Sequence, residues 1–191
     1  MKEFGFELAR KMENGKPVVA FDKEVLAYEK AQIPEYQTKC AAGADFFAAE
    51  ETVIPSFWKP IFTILKSMSP FECSENYKEE KKKLFAPTLV HTGIKAKMAE
   101  DQVLHIYNRS SNPKKLGLIL ANSVGVIDAD YYNNPDNDGE IMFAFYNLFP
   151  WDVTIKAGDR IGQGEFVQFM RPTINLRVKE QERVGGFGST K

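Results

Sequence analysis

Three clusters in this chain have the residue types that phosphate and base recognition require. The run Gly185-Gly186-Phe187-Gly188-Ser189-Thr190 sets three glycines and two hydroxyls around one ring. A segment of that kind can wrap a phosphate chain with its backbone N–H groups and lay the ring of Phe187 on a base. Chain ends also fray, so a disordered terminus is the competing reading. Asn108-Arg109-Ser110-Ser111 offers a guanidinium and two hydroxyls in four residues, a set suited to phosphate oxygens; the alternative is a polar turn leading into Pro113. The stretch from Asn122 through Gly125, Val126, Ile127, Asp128 and Asp130 to Tyr131 brings backbone close to a ligand at Gly125. Asp128 follows an apolar pair and is expected to be partly buried and oriented, as a general base must be. A solvated turn is the other reading. Gly158-Asp159-Arg160-Ile161-Gly162-Gln163, taken alone, is an ordinary turn opening a strand.

Composition excludes several partners. With 25 Lys+Arg against 26 Asp+Glu, a net charge of -1 and a pI near 6.2, the chain has no basic footprint for duplex nucleic acid. A bound polyanion must therefore be handled by local groups. Cys40 and Cys73 lack metal-ligand or redox spacing, which points to a reduced, intracellular setting without a disulfide. Met1 to Met12 lacks the apolar core of a signal peptide, and no apolar run approaches the ~20 residues of a membrane helix. The expectation is one soluble globular domain of 191 residues, with no nucleic-acid or membrane partner.

The elements that position these clusters read mainly as strands. Residues 92–98 alternate, with Ile94, Ala96 and Met98 on one face and Lys95 and Lys97 on the other. Residues 103–107, 115–120, 141–146, 153–155 and 166–170 read similarly, separated by Gly, Asn, Asp and Pro clusters. Pro135 to Gly139 is an evident turn or loop tip. Short strands with regular turn signals argue for an all-β barrel or sandwich. In residues 56–68, by contrast, Phe57, Ile61, Leu65 and Met68 recur at helical spacing. Glu79 and Lys83 then stand four apart in a charged run that reads as a solvated face, or else as a basic contact patch.

In type and order the clusters resemble the five motifs of the homotrimeric dUTPases. Ala42-Gly43-Ala44-Asp45-Phe46 resembles the first, Arg109-Ser110-Ser111 the second, Asn122 through Tyr131 the third, Gly158 through Gln163 the fourth, and Gly185 through Thr190 the fifth. Ile33-Pro34-Glu35-Tyr36 and Val90-His91-Thr92-Gly93-Ile94 also fit as connecting segments. The resemblance covers roughly residues 28–54 and 85–191. It implies an all-β, distorted jelly-roll-like barrel and hydrolysis of dUTP to dUMP and pyrophosphate, which supplies dUMP and limits uracil in DNA. It further implies an obligate homotrimer with shared active sites, Mg²⁺ as cofactor, and a cytoplasmic location (the host cytoplasm for a phage-encoded member).

Residue by residue, the resemblance makes Asp128 the base that deprotonates the water attacking the α-phosphorus. Asp45 holds water in the outer sphere of Mg²⁺. Arg109, Ser110, Ser111 and Gln163 bind substrate, as do Arg183, Gly188, Ser189 and Thr190 of the closing tail. Asn122 to Gly125 pair with the uracil edge, Ile127 also binds substrate, Tyr131 packs under the deoxyribose, and Phe187 covers the base. Asn108 stands where the family commonly has Pro or Gly, and Phe46 replaces the usual Leu. One residue, Val184, separates Arg183 from the glycines where the family usually has two. The chain adds an N-terminal extension (1–27), an inserted helical segment (56–84) and a longer turn at 133–139, insertions that resemble those of phage-encoded members. Phe57, Trp58, Phe62 and Met68 are expected to form a small packing unit on the barrel, the alternative being a surface for a regulatory protein partner. The rival enzyme is a dCTP deaminase, which shares the fold and an Arg-Ser-Ser motif but should lack the glycine-rich tail.

Overall fold

A computed structural model describes residues 4–21, 23–67 and 85–174. Among them the chain forms β1 (Gly5–Leu8), two small hairpins from β2 (Met12–Glu13), β3 (Lys16–Pro17), β4 (Val19–Ala20) and β5 (Lys23–Glu24), then β6 (Ala44–Phe47) and β7 (Thr52–Ile54). Helix α1 (Trp58–Ser67) follows, then β8 (Thr88–His91), β9 (Ile94–Lys97), β10 (Gln102–Asn108), helix α2 (Asn112–Leu116) and β11 (Leu118–Leu120). The chain continues with β12 (Val124–Asp128), a 3-10 turn (Ala129–Tyr131), β13 (Met142–Asn147), β14 (Val153–Ile155) and β15 (Arg160–Gln168). The fold is all-β. An antiparallel sheet of order β12-β10-β15-β6 and a second of order β11-β13-β8, with the pairs β1-β9 and β14-β7, carry it. Phe46, Leu104, Ile106 and Ile161 of the first sheet and Val90, Leu118, Phe143 and Phe145 of the second belong to one contiguous core. No helix among the described residues is long and apolar enough to cross a membrane.

Close packing of aromatic rings sets the spacing of the layers. Phe46 is fully buried, with its ring 5.2 Å from that of Phe6 and 5.5 Å from that of Phe143. At Gly162 a Cβ would stand 1.9 Å from Cε1 of Phe143, so only glycine lets β15 pass that ring. β1 pairs with β9 from Gly5↔Lys97 to Leu8↔Ile94, which ties part of the 1–27 segment to the barrel. The inserted segment begins with the expected helix: Phe57 packs on Phe85 and Tyr146, Trp58 Nε1 donates to the Leu148 carbonyl at 3.0 Å, and Lys59 pairs with Asp152 at 2.6 Å. Met68 and residues 69–84 lie outside the described residues.

Two expectations from the alternating pattern are corrected. Residues 115–120 are not one strand: with Pro113 in its first turn and Gly117 as a left-handed cap, α2 takes the first part and leaves only β11. Lys95 does not face solvent. It is 3% exposed, and its Nζ donates to Asp138 at 2.9 Å and to Asn133 Oδ1 at 2.7 Å. The turn at 132–139 folds over that face of β9, and it is a loop tip only at Pro135 and Asp136, since Asp138 and Gly139 are buried. The Arg10 backbone N–H and guanidinium bond the same carboxylate, while Tyr132 lies 4.8 Å from Lys95 Nζ and donates to Glu7 at 2.7 Å. Burial alone would raise the Asp138 carboxyl, but the hydrogen bonds from Arg10 and Lys95 outweigh it and hold it below the usual carboxylate range.

Asp138→Asn removes the counter-charge of buried Lys95. It should destabilise the fold by about 3–5 kcal/mol, the usual cost of breaking a buried pair from one side, read as a fall in chemical-denaturant midpoint. Because the folded carboxyl titrates below its unfolded value of about 3.9, its contribution is present above that pH and disappears as acidification passes the folded value. The Asn variant should lack that part of the acid-side loss.

Candidate active site

The first, second and fourth motifs converge at one end of the four-stranded sheet. Register places Asp45 opposite Gln163 and Gln163 opposite Tyr107, with Asn108 opposite Gly162. Asp45 is nearly buried, at 8% exposure, and its Oδ2 accepts from Arg160 Nη1 at 3.1 Å. Arg160 also reaches Gln37 Oε1 at 3.1 Å. Directly after β10, Arg109 donates from Nη1 to the Arg160 carbonyl at 3.0 Å, so the guanidinium is held beside the Asp45 and Gln163 row. Ser110 is exposed and Ser111 half-buried on the same turn.

That turn is fixed by two amides that composition did not single out. Asn108 Nδ2 donates to the Leu118 carbonyl at 2.9 Å, and Asn112 Nδ2 donates to Asn108 Oδ1 and to the Ile161 carbonyl at 2.8 Å each. Asn108, where the family commonly has Pro or Gly, thus bonds the turn to the strand behind it. Asn112 is 1% exposed and joins the Arg109 turn to β15. Asn112 and Arg160 were missed because an amide before a proline and an arginine in a Gly-Asp-Arg turn read as solvated side chains.

The third motif lies along β12, antiparallel to β10, with Gly125 opposite Ile106, Ile127 opposite Leu104 and Asp128 opposite Val103. A Cβ at Gly125 would be 2.4 Å from Ile106 Cγ1 and 3.3 Å from Asn122 Nδ2, so the backbone there lies flush against its neighbour. Asn122 is exposed at the preceding turn and Ile127 is half-buried. Asp128 is half-buried in a cleft lined also by Gln102, Asp130, Phe169 and Arg171. The 3-10 turn then delivers Tyr131, 6% exposed, whose hydroxyl meets the side chain of Asn137.

The two groups of residues are not together. Asp128 faces Val103 at one end of β10, whereas Arg109 follows Asn108 at the other. Six residue steps from Val103 to Arg109, at ~3.4 Å each, put them roughly 20 Å apart along the strand. Arg183, Phe187, Gly188, Ser189 and Thr190 lie outside the described residues.

The dUTPase family model matches residues 74–191. The deoxyuridine 5'-triphosphate nucleotidohydrolase of Lactococcus lactis subsp. lactis (strain IL1403) is 37% identical over 190 residues, 100% of this chain and 99% of that protein. The enzyme of the same description from Hydrogenobaculum sp. (strain Y04AAS1) is 31% identical over 166 residues, covering 85% of this chain and 92% of its own length. Among solved structures, the dUTPase from Streptococcus mutans superposes with a TM-score of 0.61 at 36% identity, covering 88% of this chain and 98% of that one. A Staphylococcus bacteriophage 80alpha dUTPase shares the fold, with a TM-score of 0.58 at 18% identity, 100% of this chain and 96% of that one being covered. An all-β nucleotide hydrolase is the class that fold and relatives define. The chain belongs to the dUTPase family and hydrolyses dUTP.

Asn112→Leu keeps the bulk and deletes both donors, leaving Asn108 Oδ1 and the Ile161 carbonyl without their partner. Stability should fall by about 1–3 kcal/mol, and the loosened Arg109 turn should raise KM for dUTP more than it lowers kcat; thermal melts and steady-state kinetics read the two effects.

Proposed function

We propose that each active site of this chain is built between copies of it in a homotrimer, with Asp128 as general base and the Arg109, Ser110, Ser111 and Gln163 group as phosphate clamp. The observation that carries this reading is the separation along β10. Asp128 on β12 and the turn after β10 lie at opposite ends of β10, roughly 20 Å apart along the strand, and this supports a clamp supplied to Asp128 by another copy. Cyclic symmetry gives every copy the same arrangement.

In this mechanism the uracil edge pairs with the backbone and side chain at Asn122 to Gly125, flanked by Ile127. Pairing along that edge selects uracil over cytosine and leaves the methyl of thymine crowded. Tyr131 packs under the deoxyribose and leaves no room for a 2′-hydroxyl. Asp128 takes a proton from the water that attacks the α-phosphorus, and the bond to the bridging oxygen of pyrophosphate breaks, giving dUMP and pyrophosphate. Arg109 and the two serines hold phosphate oxygens by charge-assisted hydrogen bonds, with Gln163 beside them. Arg183 and the 185–191 tail, through Phe187, Gly188, Ser189 and Thr190, close over base and phosphates and exclude bulk water.

No group of three or more His, Cys, Asp or Glu among the described residues could hold a metal by itself. One nearly buried carboxylate, Asp45, beside Gln163 is instead the donor set expected where substrate phosphates do most of the ligation, and it fits Mg²⁺. When bound, Mg²⁺ would neutralise triphosphate charge and fix its geometry, with Asp45 meeting it through water. The cytoplasm, where dUTP arises, is the compartment this reading implies. A protein partner on the 56–84 segment is a separate proposal, supported by the 58% exposure of Phe62 on α1.

Mixing experiments test the shared site. Asp128→Asn and Arg109→Ala should each be inactive alone. After denaturation and refolding together, mixed trimers should regain dUTP hydrolysis, because some sites then unite an intact Asp128 with an intact Arg109. Refolded mixtures that form trimers but stay inactive would show that one copy supplies both groups. Asp128→Asn should also retain dUTP binding while releasing no pyrophosphate; substantial turnover would remove Asp128 from its role as base.

A further inference from the structure

We infer that Asn137, in the lengthened turn after β12, is a positioning residue that sets selectivity for deoxyribose through the hydroxyl of Tyr131. The inference rests on the reading of Tyr131 as the sugar-facing ring, and goes beyond it by naming what holds that ring. Asn137 Nδ2 donates to the Tyr131 hydroxyl oxygen at 2.9 Å, and the hydroxyl lies 3.2 Å from Asn137 Oδ1, to which it can donate in turn. The amide itself is oriented by backbone: Oδ1 accepts the Gly139 N–H at 3.1 Å, and Nδ2 lies 3.3 Å from the Glu140 carbonyl. A backbone N–H only donates and a carbonyl only accepts, so these neighbours fix which way the amide points.

The turn that carries Asn137 is seated on Tyr131. Gly139 has φ +80, and a Cβ there would stand 2.4 Å from the Tyr131 carbonyl oxygen; the Asn134 N–H donates to that same carbonyl at 3.2 Å. One residue beyond Asn137, Asp138 is bound to Arg10 and Lys95. A continuous path therefore runs from the β1 and β9 framework through Asp138 and Asn137 to the phenol hydroxyl. Rejecting a 2′-hydroxyl by contact requires a ring held to within about 0.5 Å, since a ring free to tilt would admit the extra oxygen. Loss of Asn137 should therefore admit UTP rather than abolish dUTP turnover.

The test compares kcat/KM for dUTP and UTP in the full-length enzyme. Asn137→Ala and Tyr131→Phe should each lower the dUTP-over-UTP ratio on the order of tenfold, the worth of one hydrogen bond. The double variant should lower it no further than either single one. Asn137→Asp, which keeps the acceptor, should retain most of the ratio, and it carries the test with Tyr131→Phe if the alanine variant does not fold. A merely structural role would lower the melting temperature in Asn137→Ala and leave the ratio unchanged, which overturns the inference. Tyr131→Ala separates the two levels: if it collapses the ratio while Asn137→Ala leaves it intact, the sugar-facing ring stands and the role of Asn137 falls. If Tyr131→Ala leaves the ratio unchanged, the reading of Tyr131 fails and the inference with it.

Discussion

The pairing register of β10 governs both halves of the candidate active site. On one side it fixes β12, opposing Val103 to Asp128; on the other it fixes β15, opposing Tyr107 to Gln163, and through β15 it fixes β6 and Asp45. Side chains alternate between faces along a strand, so a slip of one residue in either ladder would turn Asp128 or Gln163 to the opposite face. Register here is held by burial. Leu104 and Ile106 are fully buried, and a shifted β10 would bring half-buried His105 and Tyr107 into the core in their place. The separation of Asp128 from the Arg109 turn is set by the same ladder.

The core is aromatic, with Phe46, Phe143 and Phe145 fully buried, and β15 passes Phe143 at a glycine that belongs to the fourth motif. Gly162 thus serves packing rather than ligand approach, even though it neighbours Gln163. The Arg109 turn shows the reverse division. Its charged and hydroxyl groups remain toward solvent, while Asn108 and Asn112 behind them use buried amides to tie the turn to β11 and β15. Polar groups placed at such depth need partners, and their partners are what keep the turn in one conformation.

Legibility in the sequence followed from how local each constraint is. The motifs were readable because phosphate and base recognition demand particular residue types close together. Strands such as 103–107 and 153–155 were readable because burial on one face repeats every two residues. Lys95 was misread for the same reason: alternation assigns it to solvent, and only a turn some 40 residues later covers that face. Arg10 and Asp138 are 128 positions apart, beyond any pattern that spacing can reveal. Polar residues in a turn look alike in sequence whether they are solvated or buried, so Asn112, Asn137 and Asp138 were visible only as turn formers.

The turn at 132–139 joins these arguments. A longer connection after β12 would ordinarily cost order, since extra loop residues add conformational freedom. Here the added residues remove it. Asp138 anchors the turn by charge to β1 and β9, the left-handed Gly139 lets it lie directly on the Tyr131 backbone, and Asn137 caps the phenol. The N-terminal strand is the other party to that anchor, because Arg10 follows β1 closely and Glu7 within it takes the Tyr132 hydroxyl. Two features that lie outside the family motifs, the N-terminal segment and the lengthened turn, are therefore one structural unit, and it supports the Tyr131 ring proposed to face the sugar.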